Sequence, residues 1–273
     1  MALKLALLPM AFAFLIAGPG LAQKKVKLPK PGKSAEIIFV GNSLTHFHDL
    51  PACIRALGAA DKPARRLTTL MIAPGGYTLQ RHIESTKKPR PDRVIKKERA
   101  DYVVLQEQST RPLSDPKAME KFATKLAETC KKSRSVPVWY MTYSKQHQPE
   151  LQDGISEQYQ RVHQQNGGLL APVGRAWQRV RRNNKDLKLH VKDGLHPNPH
   201  GAYLSACVLY GTMFGGDLRN LPSKLIAESK SGKKTVLIDI PEEEGQLLRD
   251  AAAEAVAAQY PDRETATSTS RRK

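Results

Sequence analysis

The stretch that decides the fold is Ala35-Glu36-Ile37-Ile38-Phe39-Val40-Gly41-Asn42-Ser43-Leu44-Thr45. Residues 37–40 form an unbroken apolar run with β-branched content, which suits a strand buried on both faces and so a parallel sheet. Gly41 ends the run. Residues 50–57 then follow a helical pattern, so Ser43 falls in a strand-to-helix turn at the carboxyl edge of the sheet. Open α/β sheets collect ligands in the crevice outside that edge, which gives the hydroxyl a chemical context. A serine in such a turn also serves as a helix N-cap, and this segment alone leaves both roles open.

Outward from this stretch the pattern repeats. Residues 67–73 (L-T-T-L-M-I-A) predict a second strand, stopped by Pro74-Gly75-Gly76, and Thr78 suits the N-cap of a short helix ending near Ser85. The basic, proline-broken segment 87–97 reads as an exposed connection. Residues 101–106 (D-Y-V-V-L-Q) predict a third strand, followed by the polar Glu107, Gln108, Ser109 and Thr110. Asp115-Pro116 opens a helix to about Lys132, and residues 136–142 make a fourth strand. A helix over 155–165 stops at Asn166-Gly167-Gly168, and 169–173 gives a fifth strand. Such alternation predicts an α/β fold with a five-stranded parallel sheet, helices on both faces and right-handed crossovers. Beyond it lie a basic helix at 176–182, a turn-rich loop at 193–200, an apolar helix at 202–214, an edge strand at 235–240 and an amphipathic helix at 242–259.

The ends carry a different message. Residues 1–22 have a basic start, an apolar run and small residues before Gln23, the pattern of a cleaved signal peptide, so the expected location is secreted or periplasmic. The run is shorter than the roughly 20 apolar residues a spanning helix needs. Residues 23–34 read as a Lys- and Pro-rich linker, 35–260 as one domain, and 261–273 as a disordered basic tail. Cys53, Cys130 and Cys207 are too few and too scattered for a disulfide framework or a C-x-x-C metal site.

With 44 Lys and Arg against 26 Asp and Glu, the formal charge is +18, a field that attracts anionic polymers or surfaces. Basic residues concentrate at both ends, in 87–97 and in 175–188. Aromatic residues make up 6% of the chain and do not interleave with these runs, so specific nucleic-acid binding through base stacking is not expected.

Asp193-Gly194-Leu195-His196-Pro197 is the second informative stretch. A histidine acting as general base needs a carboxylate to fix its tautomer and stabilise the imidazolium, and Asp three residues before His in a loop can supply it. Ser43 completes a set of nucleophile, base and orienting acid. His46 and His200 are candidate substrate contacts. His46 and His48 have i, i+2 spacing that a helix would splay, so no metal is expected there. Asp49, Glu107 and Asp153 have no evident partner, and Trp139 and Trp177 read as core or rim aromatics.

These stretches resemble the SGNH/GDSL hydrolases. Gly41-Asn42-Ser43-Leu44 is similar to the first block of that superfamily with Asn in place of Asp, Gly75-Gly76 to its glycine block, and Asp193-x-x-His196-Pro197 to its last block. The resemblance spans about 36–210. It implies a flavodoxin-like three-layer α/β/α fold and ester hydrolysis by a Ser43, His196 and Asp193 triad, without metal or cofactor. One block departs: where most members carry G-x-N-D after the third strand, this chain has Leu105-Gln106-Glu107-Gln108-Ser109. The oxyanion hole expected from the resemblance therefore uses the backbone N–H groups of Ser43 and Gly76 with the Gln106 carboxamide, Gln108 standing in reserve. Carbohydrate and sialate O-acetylesterases also carry a Gln motif here, which points to an acylated carbohydrate, an anionic one fitting the charge. A non-catalytic secreted binder of anionic polysaccharide or cell envelope is the rival reading.

Overall fold

The computed structural model describes residues 32–261 apart from Lys88 and Lys230. The expected signal peptide, most of the linker and nearly all of the tail lie outside the described residues. The chain runs β1 (Ser34–Val40), α1 (Ser43–His46), α2 (Leu50–Ala60), β2 (Arg66–Ile72), α3 (Leu79–Glu84), α4 (Pro91–Glu98), β3 (Tyr102–Leu105), α5 (Arg111–Ser114) and α6 (Pro116–Lys132). It continues through β4 (Val136–Tyr140), α7 (Gln152–Asn166), β5 (Leu169–Ala171), α8 (Val173–Asn183), α9 (Pro199–Phe214), β6 (Lys224–Glu228), β7 (Lys234–Asp239) and α10 (Glu242–Gln259).

The first five strands form one parallel sheet in the order β2-β1-β3-β4-β5. This is the flavodoxin-like order, in which the ligand crevice opens at the carboxyl ends of β1 and β3, where the winding reverses. Residues 37–40 of β1 and all of β3 are apolar without alternation because both of their faces are covered. Ile37 and Phe39 of β1 and Tyr102 and Val104 of β3 point into one core with α2, α8, α9 and α10. Ile38, Val40, Val103 and Leu105 point into a second core with α3, α4, α6 and α7. Each fully buried apolar side chain of this size contributes roughly 1.5–3 kcal/mol. Three layers, α/β/α, follow directly.

α9 shows the same logic in a helix. Every residue from Gly201 to Phe214 is buried, between the sheet and α10, so its sequence is apolar on all sides instead of amphipathic. Cys53, Cys130 and Cys207 are free thiols within these cores, and burial pushes each up to about 12.

One expectation needs correction. Part of the 87–97 segment is α4: Pro91 takes the first helical turn, where its missing N–H does no harm, and Ile95 is fully buried under it. The edge strand expected at 235–240 does form, outside the main sheet. It is β7, paired antiparallel with β6 in a separate two-stranded sheet. Among the described residues, no helix is long and apolar enough to cross a membrane.

Candidate active site

At the carboxyl end of β1, Asn42 is the N-cap of α1: its Oδ1 accepts from Leu44 N–H at 3.1 Å, and its Nδ2 donates to Tyr77 O at 2.9 Å. Because Asn42 supplies the cap, the hydroxyl of Ser43, first residue of the helix, is left for other work. The turn is held from below. Gln106 Oε1 accepts from Asn42 N–H at 2.9 Å and from Thr45 Oγ1 at 2.8 Å, while Gln106 Nε2 donates to Glu107 O at 2.5 Å. Buried His82 places Nε2 2.7 Å from Gly41 O. Burial lowers the His82 pKa, and because a carbonyl oxygen can only accept, the Nε2–H donates. A Cβ on Gly41 would lie 2.4 Å from Thr45 Oγ1 and 2.5 Å from Gln106 Oε1, so this close approach requires glycine.

The second half of the site is a loop closed by an antiparallel bridge between His190 and Pro197, with Val191 N–H donating to His196 O at 2.9 Å. Inside it, Asp193 Oδ1 accepts from the backbone N–H groups of Leu195 and His196 at 2.8 and 2.9 Å. Asp193 Oδ2 lies 2.6 Å from His196 Nδ1, and His196 Nε2 lies 2.8 Å from Ser43 Oγ. Burial works to raise the Asp193 carboxyl, but the hydrogen bonds from the His196 ring and these two N–H groups outweigh it and hold the group down at about 2. The carboxylate fixes the proton on Nδ1, which leaves Nε2 free to accept from the serine hydroxyl. Ser43, His196 and Asp193 thus meet at one rim from positions 150 residues apart in the chain.

Between these halves, Phe47 stacks on the His196 ring, centroids 4.3 Å apart and planes at 11°. The next two residues, His48 and Asp49, take left-handed φ angles of 55° and 46°, a strained conformation for residues with a Cβ. Asp49 uses this turn to cap α2, its Oδ1 accepting from Ala52 N–H at 3.1 Å. Burial lowers the pKa of His48, opposed by a hydrogen bond with the Pro197 backbone.

Support reaches the loop from α8. Arg181 donates to Ser144 Oγ at 3.1 Å and to Gln146 O at 2.5 Å, and Gln146 N–H donates in turn to Gly194 O at 2.8 Å. His190 Nε2 is 3.2 Å from Ser144 O, and its ring packs edge-on against the stacked pair Tyr143 and Trp177. Burial, with the charge of Arg181, pushes the His190 pKa down to about 4.

The glutamines differ from expectation. The polar groups of Gln106 bond to Asn42 N–H, Thr45 Oγ1 and Glu107 O and not to Ser43, and the side chain is fully buried. Its orientation is fixed by its neighbours, since an N–H needs the oxygen and a carbonyl needs the nitrogen. Gln108 is likewise engaged, its Oε1 accepting from Thr110 and Arg111 at the start of α5 and its Nε2 donating to Ser109 Oγ. Gly76 is exposed at φ 69° in the turn closed by Tyr77 N–H to Pro74 O at 3.3 Å, and Asn42 Nδ2 ties that turn to the serine. His46 is exposed with Nδ1 3.0 Å from Ala73 O. His200 turns to Glu244 of α10, with Nε2 2.5 Å from Oε2, and is not brought to the serine. Glu107 and Asp153 have partners after all: Glu107 Oε1 accepts from Leu79 and Gln108 N–H, and Asp153 takes Arg175 and Gln178. Trp139 and Trp177 are both fully buried.

Phe47, His82, Arg181 and His190 were not foreseen. Nothing in their local sequence marks them, because each acts across a long chain separation; only the nearness of Phe47 to Ser43 offered a signal.

The sequence matches no protein-family model and no curated protein. Solved structures do match. A candidate SGNH hydrolase from Slackia heliotrinireducens shares 27% identity, covering 66% of this chain and 99% of its own, with a TM-score of 0.56. A DUF4886 family protein from Bacteroides uniformis gives a TM-score of 0.61 at 17% identity, covering 84% of this chain and 96% of its own. A catalytic mutant of Axe2, an acetylxylan esterase from Geobacillus stearothermophilus, gives 0.50 at 15% identity, covering 68% and 95%. Five parallel strands in this order, helices on both faces and these similar structures lead to one conclusion: the chain has an SGNH/GDSL-type hydrolase fold.

Proposed function

We propose that this protein is a serine ester hydrolase that removes O-acetyl or other short acyl groups from carbohydrate. The observation that carries the reading is the continuous hydrogen-bonded line from Asp193 through His196 to Ser43 Oγ, at 2.6 and 2.8 Å. In the proposed reaction, His196 Nε2 takes the Ser43 proton as Oγ attacks the ester carbonyl, and Asp193 stabilises the imidazolium. The oxyanion is held by backbone N–H groups of Ser43 and Gly76. Ser43 N–H stands at the first position of α1, where a helix has no acceptor of its own. Collapse of the intermediate passes the proton from His196 to the departing alcohol and leaves an acyl-serine. Water, deprotonated by His196, then attacks the acyl carbon and releases the carboxylic acid and the free serine.

Carbohydrate as the alcohol is supported by the Gln-containing block after β3, and it fits neighbours described as acetylxylan esterases, whose likeness is one of fold. Residues 1–22 support export to the periplasm or medium. The test is turnover of aryl acetates and acetylated xylan by the wild type and by Ser43→Ala. Activity should fall at least about a thousandfold in a variant that stays folded. Undiminished hydrolysis in that variant ends the proposal.

A further inference from the structure

A groove of about 550 Å³ opens beside the catalytic loop, between the end of α8 with the segment after it and residues 144–150. Its lining includes Arg181, Arg182, Lys185 and Lys188 against one carboxylate, Glu150. These cations are not equivalent. Arg181 is committed to the Ser144 and Gln146 backbone and side-chain oxygens and serves as wall. Arg182 and Lys185 are exposed, and among the described residues neither forms a salt bridge. The carboxyl-terminal end of α8 gives a reason for cations at 181 and 182, since helix ends of that polarity favour them. It gives none for Lys185 and Lys188, which lie beyond the helix. A concave wall with several positive charges and one negative charge focuses a field that an anion would satisfy.

The groove shares its wall with the chemistry. Gln146 lines it and donates its N–H to Gly194 O, between Asp193 and Leu195. His190 lines it and is bridged to Pro197, the residue after His196. We propose that this groove is a subsite for the carboxylate or sulfate groups of an acidic polysaccharide, one acylated residue of which sits at Ser43. The proposal rests on the carbohydrate-ester reading above and adds the anionic class of the polymer. A nucleic acid is disfavoured because the groove offers no exposed aromatic ring for base stacking; its one ring, His190, is buried.

The experiment measures binding of unacylated polygalacturonate fragments, of dextran sulfate and of oligo-dT to the full chain by titration calorimetry at several salt concentrations. Three proteins are compared: wild type, Arg182→Ala/Lys185→Ala, and Lys233→Ala/Lys234→Ala. The last pair removes equal charge from exposed positions at the β6–β7 hairpin. The groove variant should lose about tenfold in affinity for at least one of the two polysaccharides, the scale of two exposed charge contacts, while the hairpin variant stays within about twofold. The preferred polymer tells carboxylate from sulfate. Equal losses in the two variants, no polysaccharide binding by the wild type, or oligo-dT held as tightly as either polysaccharide would overturn the proposal. Because the polymers carry no ester, a failure of Ser43-dependent hydrolysis, measured separately on aryl acetate, would strike the esterase reading and leave this binding result standing on its own.

Discussion

Phe47 lies flat against His196, 4.3 Å between ring centroids and 11° between planes, while His196 keeps its 2.8 Å contact with Ser43 Oγ. The phenyl ring closes one face of the imidazole and limits its rotation away from the hydroxyl. Phe47→Ala should therefore lower kcat by up to about tenfold, the scale of one aromatic stack, with a smaller change in KM. Phe47→Tyr, which keeps the stack, should restore most of the loss. Equal kcat in the alanine variant would remove Phe47 from any positioning role.

Gln106 separates two roles by experiment. Buried beneath the serine turn, it satisfies Asn42 N–H and Glu107 O, and Gln106→Ala would leave both without a partner. Destabilisation of roughly 2–5 kcal/mol is expected, read from denaturant unfolding. A variant of wild-type stability with lost turnover would instead mark Gln106 as an oxyanion donor.

Arg181 supports the catalytic loop at one remove, through Gln146 to Gly194. Its planar fork reaches several oxygens at once, which a lysine cannot reproduce. Arg181→Ala and Arg181→Lys should both lower kcat/KM about tenfold and speed amide exchange at Gln146. Rescue by lysine would show that charge alone matters.

Burial raises the Glu107 carboxyl from its ordinary 4.5 to about 7. Between those values the unfolded chain has released a proton that the folded chain retains, so this group lowers stability as pH rises through that window. Glu107→Gln can keep the acceptor for Leu79 and Gln108 N–H, because both bonds fall on one oxygen. The Tm of the variant relative to wild type should rise between about pH 4.5 and 7 and stay level below it. A difference that is constant across the window would contradict the buried-acid assignment.

How much was legible depended on how local the determinant was. β1 and β3 announced themselves because burial on both faces leaves an unbroken apolar run, and α6 because Asp115 and Pro116 mark its start. The D-x-x-H loop was readable for the same reason, its aspartate bonding to N–H groups two and three residues away. What failed was set by distant partners. The direction of the Gln106 amide is decided by a backbone N–H 64 residues earlier, and α4 depends on a core pocket for Ile95 that no neighbouring residue reveals. His200 looked like a pocket residue only because Glu244 is 44 residues away.

The most direct test is covalent labelling by a serine-directed phosphonate, mapped by peptide mass in the wild type and in His196→Ala. A single adduct on Ser43, formed at a rate that collapses when His196 is replaced, is the predicted result. Labelling elsewhere, or labelling of Ser43 at an undiminished rate without His196, would contradict a histidine-activated nucleophile at this rim.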